Sequence, residues 1–457
     1  MTEKLLKHIS AISLLCLSLS LFFISIGSCE EITPSSPLRE FSLKEAIDVA
    51  FMSNKDIQIQ EEAIGIAKAD IVEAKSEFWP KLSAKYGYTY NGYAFNLGSL
   101  AAGSKKDPGI FTGYQNDNQA SISVSENVFN GGADIAMLKE ARLGLKVQQE
   151  TLRARKLDVA FETKRLFYGL LLAYETERIT ENLFRQAQAH YDDVKSKFAQ
   201  GISSKFDVLQ SSVQVSKVMP ELVRARNAIQ LIKVEFKKLL GVDMFEDISI
   251  KGHLAFTPSE IKEPDYLKEA YKANPQIILK LLGIDISKWQ IEYAKSGYYP
   301  QVEAGFGYNY RSNNLNTIFD YRHTNWSAGV TVGLSIFDGM STKAKVDAAK
   351  AKYSQSHIEK ENVTDQVVVY IKNACLDMKE AEEIVKSQKD AIVEATEALK
   401  IAEIGYDNGV TTNLDVLDMQ VSLSQVEKNL AEGIYDYLVS RAQLDRVMGR
   451  ESYSENN

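Results

Sequence analysis

Two aspartates late in the chain have the spacing that best suggests chemistry. Asp415 and Asp418 are three residues apart, so a helix would place both carboxylates on one face. Crowded carboxylates repel each other, raise each other's pKa and attract cations. Asp207 and Asp415 also allow a simpler interpretation, because each follows a hydroxyl residue, Ser204 or Thr412, by the three positions typical of a helix-capping box. A charged site and a capping role both remain open for these two residues.

Other kinds of chemistry find little support. The histidines are scattered, without metal-ligand spacing or pairing to a carboxylate: His8, His190, His253, His323 and His357. No phosphate-binding loop is present. We therefore predict a protein that is not an enzyme and has no cofactor or metal. The formal net charge of −8 argues against nucleic acid as a partner.

The first residues have the pattern of an export signal. Lys4 and Lys7 precede an apolar stretch, 9–26, that ends in small residues just before Cys29. We expect residues 1–28 to be a signal peptide, with an uncleaved membrane anchor as the alternative. The residues around Cys29 also resemble a bacterial lipobox, so we consider lipidation of Cys29 alongside ordinary cleavage nearby.

The remaining sequence consists of two related halves that form an internal repeat. The motif Ala-Lys-Ser followed by two aromatic residues and proline occurs at 74–80 and again 220 positions later. Residues 129–241 align without a gap to 337–449, at an offset of 208. At that offset Asp418 corresponds to Gln210, so geometry common to both halves does not require the second carboxylate. Repeats of this kind set the architecture. They give the expected domains: 41–257, 258–452 and a C-terminal tail at 453–457.

Each half is predicted to contain a helix, two strands, a very long helix, a turn and another helix. Apolar and polar residues alternate over runs of about ten residues, the length of a tilted membrane-spanning strand: 82–90, 120–124, 301–310 and 326–336. A soluble β-sandwich would show the same alternation. Residues 97–117 and 312–314 have loop chemistry and are our candidate extracellular loops.

The helices are unusually long. The 64 residues from Ser341 to Ile404 contain neither glycine nor proline, which corresponds to roughly 95 Å of helix. Apolar residues recur there in a heptad rhythm, so the helix needs neighbours along its whole length. Past the leader no run of about 18 apolar residues occurs, so an exported chain would be soluble or span a membrane as strands. Four strands cannot close a barrel, whereas three copies would supply about twelve.

In the order and doubled spacing of its motifs, the chain resembles the TolC-like outer membrane efflux proteins over 41–449. The motifs are an aromatic-Pro pair before each first strand, Phe-Asn/Asp-Gly after each second strand, and Gly-x-x-Ser/Thr-x-x-Asp-Val-Leu at each turn between helices. The resemblance implies an α+β membrane protein in the outer membrane of a Gram-negative bacterium. It would be a homotrimer with a 12-stranded β-barrel, four strands per chain, continued by a long α-helical periplasmic barrel.

The same resemblance implies roles for the helical turns. They would form the periplasmic end and dock to a periplasmic adaptor protein, and the adaptor would link to an inner-membrane transporter of the RND or ABC class. The docking tips would be Gly201, Ile202, Ser203, Gly409, Val410 and Thr411. The gate would be formed by Asp207, Tyr406, Asp415 and Asp418. Thr411 stands where some family members have a gate arginine.

Two other classes of protein remain open from the sequence. A trimeric coiled-coil structural or adhesive surface protein would explain the heptads but not the alternating strands. A soluble periplasmic binding module would explain the export signal.

Overall fold

The computed structural model describes residues 39–91, 116–317 and 320–451. The predicted signal peptide, the proposed lipidation site at Cys29, the tail at 453–457 and nearly all of the predicted loop 97–117 lie outside these residues.

Two short helices open each half of the chain where the sequence predicted one. They are α1 (Leu43–Ser53) and α2 (Lys55–Ser76), then α5 (Glu263–Ala273) and α6 (Pro275–Lys295). An asparagine with extended backbone separates each pair. Its side chain caps the second helix and donates to a distant carbonyl, from Asn54 to Leu239 at 2.8 Å and from Asn274 to Val447 at 2.7 Å. The prediction of a single helix was wrong because an asparagine can end one helix and begin the next.

The very long helices are confirmed. Helices α3 (Ala133–Ala199) and α7 (Ser341–Asp407) each have 67 residues, and each is followed by a 36-residue partner, α4 (Lys205–Leu240) or α8 (Asn413–Met448). The heptad positions of α7 are largely buried: Ala374, Met378, Ala381, Val385, Leu399 and Ala402. None of the helices in the described part of the chain combines the length and the apolar character that a membrane-spanning helix requires.

The four predicted strands are confirmed as β2 (Lys81–Tyr90), β3 (Asn116–Asn130), β5 (Gln301–Ser312) and β6 (Thr324–Gly333). They form one antiparallel sheet in the order β2-β3-β5-β6. The alternation predicted for 326–336 extends three residues past β6, which ends where Gly333 meets Gln301, the first residue of β5. Two three-residue strands, β1 (Arg39–Phe41) and β4 (Ile248–Ile250), form a separate parallel pair that the sequence did not predict.

One face of the four-stranded sheet is apolar and uncovered. The cross-strand pairs place the apolar members of each alternating run on that face, and many are exposed: Leu82, Tyr86, Tyr88, Ile122, Phe306, Tyr308, Trp326, Val330 and Val332. The opposite face has small and polar residues such as Ser123, Gly307 and Ser327. An apolar face of this extent indicates a surface that meets lipid or another chain.

Candidate gate at the hairpin tips

The two helical hairpins turn with the same backbone geometry. Gly201 and Gly409 have φ angles of 79° and 71°, the left-handed region that glycine adopts most readily. After each glycine, a backbone N–H donates to a carbonyl of the preceding helix, from Ile202 to Lys197 at 2.9 Å and from Val410 to Gly405 at 2.7 Å. The side chains of Ile202 and Val410 are exposed at the two tips.

The capping role of Asp207 and Asp415 is confirmed. The hydroxyls of Ser204 and Thr412 donate to these carboxylates at 2.6 and 2.7 Å, and each hydroxyl accepts the N–H of its aspartate in return. The bond from Ser204 lowers the pKa of Asp207, and the bond from Thr412 lowers the pKa of Asp415. The rise in pKa predicted for crowded carboxylates concerns several copies and stays a prediction.

Asp418 differs from the capping residues. It is exposed on α8, one turn beyond Asp415, and among the described residues it has neither a hydrogen-bond nor an ion-pair partner.

Tyr406 reaches from α7 to the first hairpin. Its hydroxyl lies 3.5 Å from that of Ser203, which donates to the Asp207 carboxylate at 3.2 Å. Its ring packs against His190 of α3, with 5.3 Å between ring centroids. The structure therefore brings together the predicted residues Tyr406, Ser203 and Asp207, and Tyr406 links the two tips.

A lysine provides a second link between the hairpins. The Lys197 ammonium donates to Asp407 of α7 at 2.6 Å and pairs with Asp193 of its own helix at 2.8 Å. It also lies over the ring of Tyr406, 4.7 Å from the centroid. Burial alone would lower the pKa of Lys197, but its hydrogen bonds to Asp193 and Asp407 raise it. The lysine is therefore held in its charged form between the two helices.

A buried asparagine forms the third and most complete link. Asn413, only 3% exposed, begins α8, and its side-chain oxygen lies 2.7 Å from His190 Nε2 and 3.1 Å from the Ser211 hydroxyl. Its amide donates to the side chain of Gln210 at 2.8 Å and to the backbone oxygen of Asp207 at 3.5 Å. One side chain thus joins α8 to both helices of the first hairpin.

Thr411 does not take part in these links. Its hydroxyl donates to the Ala402 carbonyl at 2.8 Å, back onto α7. A methyl group on Gly405 would lie 2.7 Å from the Thr411 side chain, so this glycine makes room for the fold-back. Thr411, which stands where some family members have a gate arginine, thus stabilises the turn of its own hairpin.

The sequence interpretation missed His190, Lys197, Asp407 and Asn413. The comparison of the two halves that singled out Asp418 could have drawn attention to all four. At the same offset, His190 corresponds to Ala398, Lys197 to Gly405, Asp407 to Ala199 and Asn413 to Lys205.

Comparisons with known proteins give the class and the family. A model of the family described as "Outer membrane efflux protein" matches residues 46–242 and 266–450. Outer membrane protein TolC of Escherichia coli K12 is 22% identical over 422 residues, which cover 89% of this chain and 82% of that protein. The crystal structure of the outer membrane protein VceC of Vibrio cholerae aligns with a TM-score of 0.75 and 18% identity, covering 89% of this chain and 96% of that one. The open state of the Neisseria gonorrhoeae MtrE outer membrane channel aligns with a TM-score of 0.73 and 15% identity, covering 89% of each chain.

These similarities indicate the class of protein, an outer-membrane channel with long helices. The chain belongs to the outer membrane efflux protein family. It is therefore an efflux channel protein of the outer membrane of a Gram-negative bacterium, with its helices in the periplasm. These relatives do not support the alternative of a coiled-coil structural or adhesive surface protein.

Proposed function

We propose that three copies of this chain form a closed channel through the outer membrane, with twelve strands in the membrane and a helical tunnel below them. The observation that carries this proposal is the sheet, which within the described residues has four strands and an apolar face that no other element covers. A sheet in lipid must leave no free edge, and three copies would close it. The two sequence-related halves would then line the tunnel in alternation.

The hairpin tips are the proposed gate of this channel. Asp415 and Asp418 of three copies would place six carboxylates around a narrow mouth, where they would favour cations and bind multivalent ones. Tyr406 and Asp207 would hold the two tips of each chain together, with Lys197 and Asn413 as further links. The relative whose open state is known, MtrE, supports a channel that can adopt more than one state.

The partners follow from the same assembly. The exposed tip residues Gly201, Ile202 and Val410 would meet a periplasmic adaptor protein, and the adaptor would connect to an inner-membrane transporter of the RND or ABC class. Outer-membrane lipid would cover the apolar face of the sheet, and Cys29 would carry a lipid anchor. The chain itself would act as a conduit without an enzymatic step.

Ion conductance in planar bilayers tests the gate. The variant Asp415→Ala with Asp418→Ala should lose cation selectivity and block by multivalent cations, because the proposed ring of carboxylates is removed. The matched control is Glu432→Ala, which removes an exposed carboxylate of the same helix α8 far from the hairpin tip. Unchanged selectivity and unchanged block in the double variant would refute the gate assignment.

A further inference from the structure

In the described part of the chain, the outer strands of the sheet, β2 and β6, are each paired along one edge. Within the described residues, β2 pairs only with β3, and β6 pairs only with β5. The proposed channel requires β6 of one copy to pair with β2 of the next. A contact inside the sheet of one chain serves as a template for this pairing.

The template is the contact of β3 with β5 at the centre of the sheet. Residues 324–338 correspond to β3 at an offset of 208, and residues 81–90 correspond to the first part of β5 at an offset of 220. The central contact thus joins the second strand of one half to the first strand of the other. The contact between two copies would join 324–338, the second strand region of the second half, to β2, the first strand of the first half. This is again a second strand against the first strand of the other half.

We propose that β6 of one copy pairs with β2 of the next in the register of the central contact, an inference that rests on the proposed trimer. Ser123 pairs with Gly307 in the central contact, which places Thr331 opposite Gly87 of the next copy. The pair of Asn127 with Glu303 likewise places Ser335 opposite Ser83.

In the register of the central contact, the pairing between two copies is longer than β6 is in one chain. Strand β3 has 15 residues and a register shift between Asn127 and Phe129, whereas β6 has ten residues. The five residues at 334–338 remain outside the strand because β5 begins opposite Gly333, so a strand partner for them would have to come from the next copy. Pairing extends β6 to Asp338, opposite Lys81, with a bulge at Ile336, whose side chain is 93% exposed in the single chain.

The faces of the two strands agree with this register. It places Val332 against Tyr86 on the apolar face and Thr331 against Gly87 on the polar face. A slip by one residue would reverse every side chain of one strand and put tyrosines opposite glycine and threonine. A slip by two residues keeps the faces, so the experiment must distinguish it.

Cysteine pairs measure the register directly. Residues directly opposite in an antiparallel pair have Cα atoms about 4.5–5.5 Å apart, within the range of about 4.4–6.8 Å that a disulfide spans. Neighbours displaced by two residues are about 7–8 Å apart and are disfavoured. Within one chain, β2 and β6 are three strand spacings apart, roughly 14 Å, so no disulfide can form inside the chain. A Cβ at Gly87 meets no atom within 4 Å, so a cysteine fits there.

The test uses full-length protein in outer-membrane fractions, oxidised in air with copper phenanthroline and separated on non-reducing gels. Thr331→Cys with Gly87→Cys should give covalent dimers and trimers, and so should Ser335→Cys with Ser83→Cys. Thr331→Cys with Lys85→Cys or Thr89→Cys represents a slip by two residues and should give at least tenfold less product. Each single variant controls for the native cysteines.

Trimer content is measured separately, on unheated gels of the same fractions. If trimers persist but a slipped pair cross-links best, or no pair cross-links, the register is wrong and the channel stands. Cross-linking at 331 and 87 without cross-linking at 335 and 83 would overturn the extension of β6. If no variant and no parent protein forms trimers, the proposed channel itself fails.

Discussion

Replacing Asn413 with alanine should loosen the junction between the two hairpins. The asparagine oxygen accepts from Ser211 and His190, and its amide donates to Gln210 and to the Asp207 backbone. Alanine leaves the hydroxyl of Ser211, which is 0% exposed, without its partner. A buried polar group left unpaired costs about 1–3 kcal/mol.

The effect on the channel follows from that magnitude. If the links of Asn413 exist only while the tips are together, their loss lowers the ratio of closed to open states by the same free energy, a factor of about 5–150 for each of the three chains. The open fraction measured in planar bilayers should rise accordingly. The further change Ser211→Ala should reverse part of the increase, because it removes the orphaned hydroxyl.

The chain offers a matched control for this experiment. Lys205 occupies the first position of α4, as Asn413 does in α8, and its side chain is exposed. Lys205→Ala should leave the open fraction unchanged. A wild-type open fraction in Asn413→Ala, or an equal rise in Lys205→Ala, would refute a specific role for the buried asparagine.

Three further predictions test individual residues. Lys197→Met should raise the open fraction by less than about fivefold for each chain, because the ion pair with Asp407 is near the surface and contributes under about 1 kcal/mol. The effect should shrink in high salt, and a rise as large as that of Asn413→Ala would contradict this prediction. The lowered pKa of Asp415 means that its cap stabilises α8 at neutral pH and is lost as the carboxylate is protonated below about pH 4. Hydrogen-exchange protection of the first turn of α8 should therefore fall on acidification in the wild type but not in Asp415→Asn, and protection that rises with acid would be inconsistent with it. Met340 has a φ of 71°, in the left-handed region, where the first half of the chain has Gly132. Glycine adopts this region without strain, so Met340→Gly should raise the free energy of unfolding, measured with denaturant, by roughly 0.5–1 kcal/mol. Gly132→Ala should lower it.

Much of the fold could be predicted because its signals are periodic. Alternation over ten residues predicted the four strands, and the absence of glycine and proline predicted α7 to within a few residues of its end at Asp407. The three-residue strands β1 and β4 could not be predicted, since their pairing depends on residues more than 200 positions apart. The break at Asn54 was missed for a related reason. The asparagine side chain both caps α2 and reaches Leu239, and the second contact is invisible in the local sequence.

The candidate gate was only partly predictable. The capping of Asp207 and Asp415 follows from a fixed spacing and was confirmed. The links made by Lys197 and Asn413 depend on how the second hairpin packs against the first, which no local pattern encodes. Thr411 illustrates the opposite case, because the family resemblance directed attention to a position that this chain uses for its own turn.

The mass of the native assembly tests the central claim most directly. Protein extracted from the outer membrane in mild detergent should have, by native mass spectrometry, the mass of three chains, and it should lose solubility when detergent is removed, because the apolar face of the sheet then meets water. A single chain that stays in solution without detergent would contradict the channel and every role assigned to the gate.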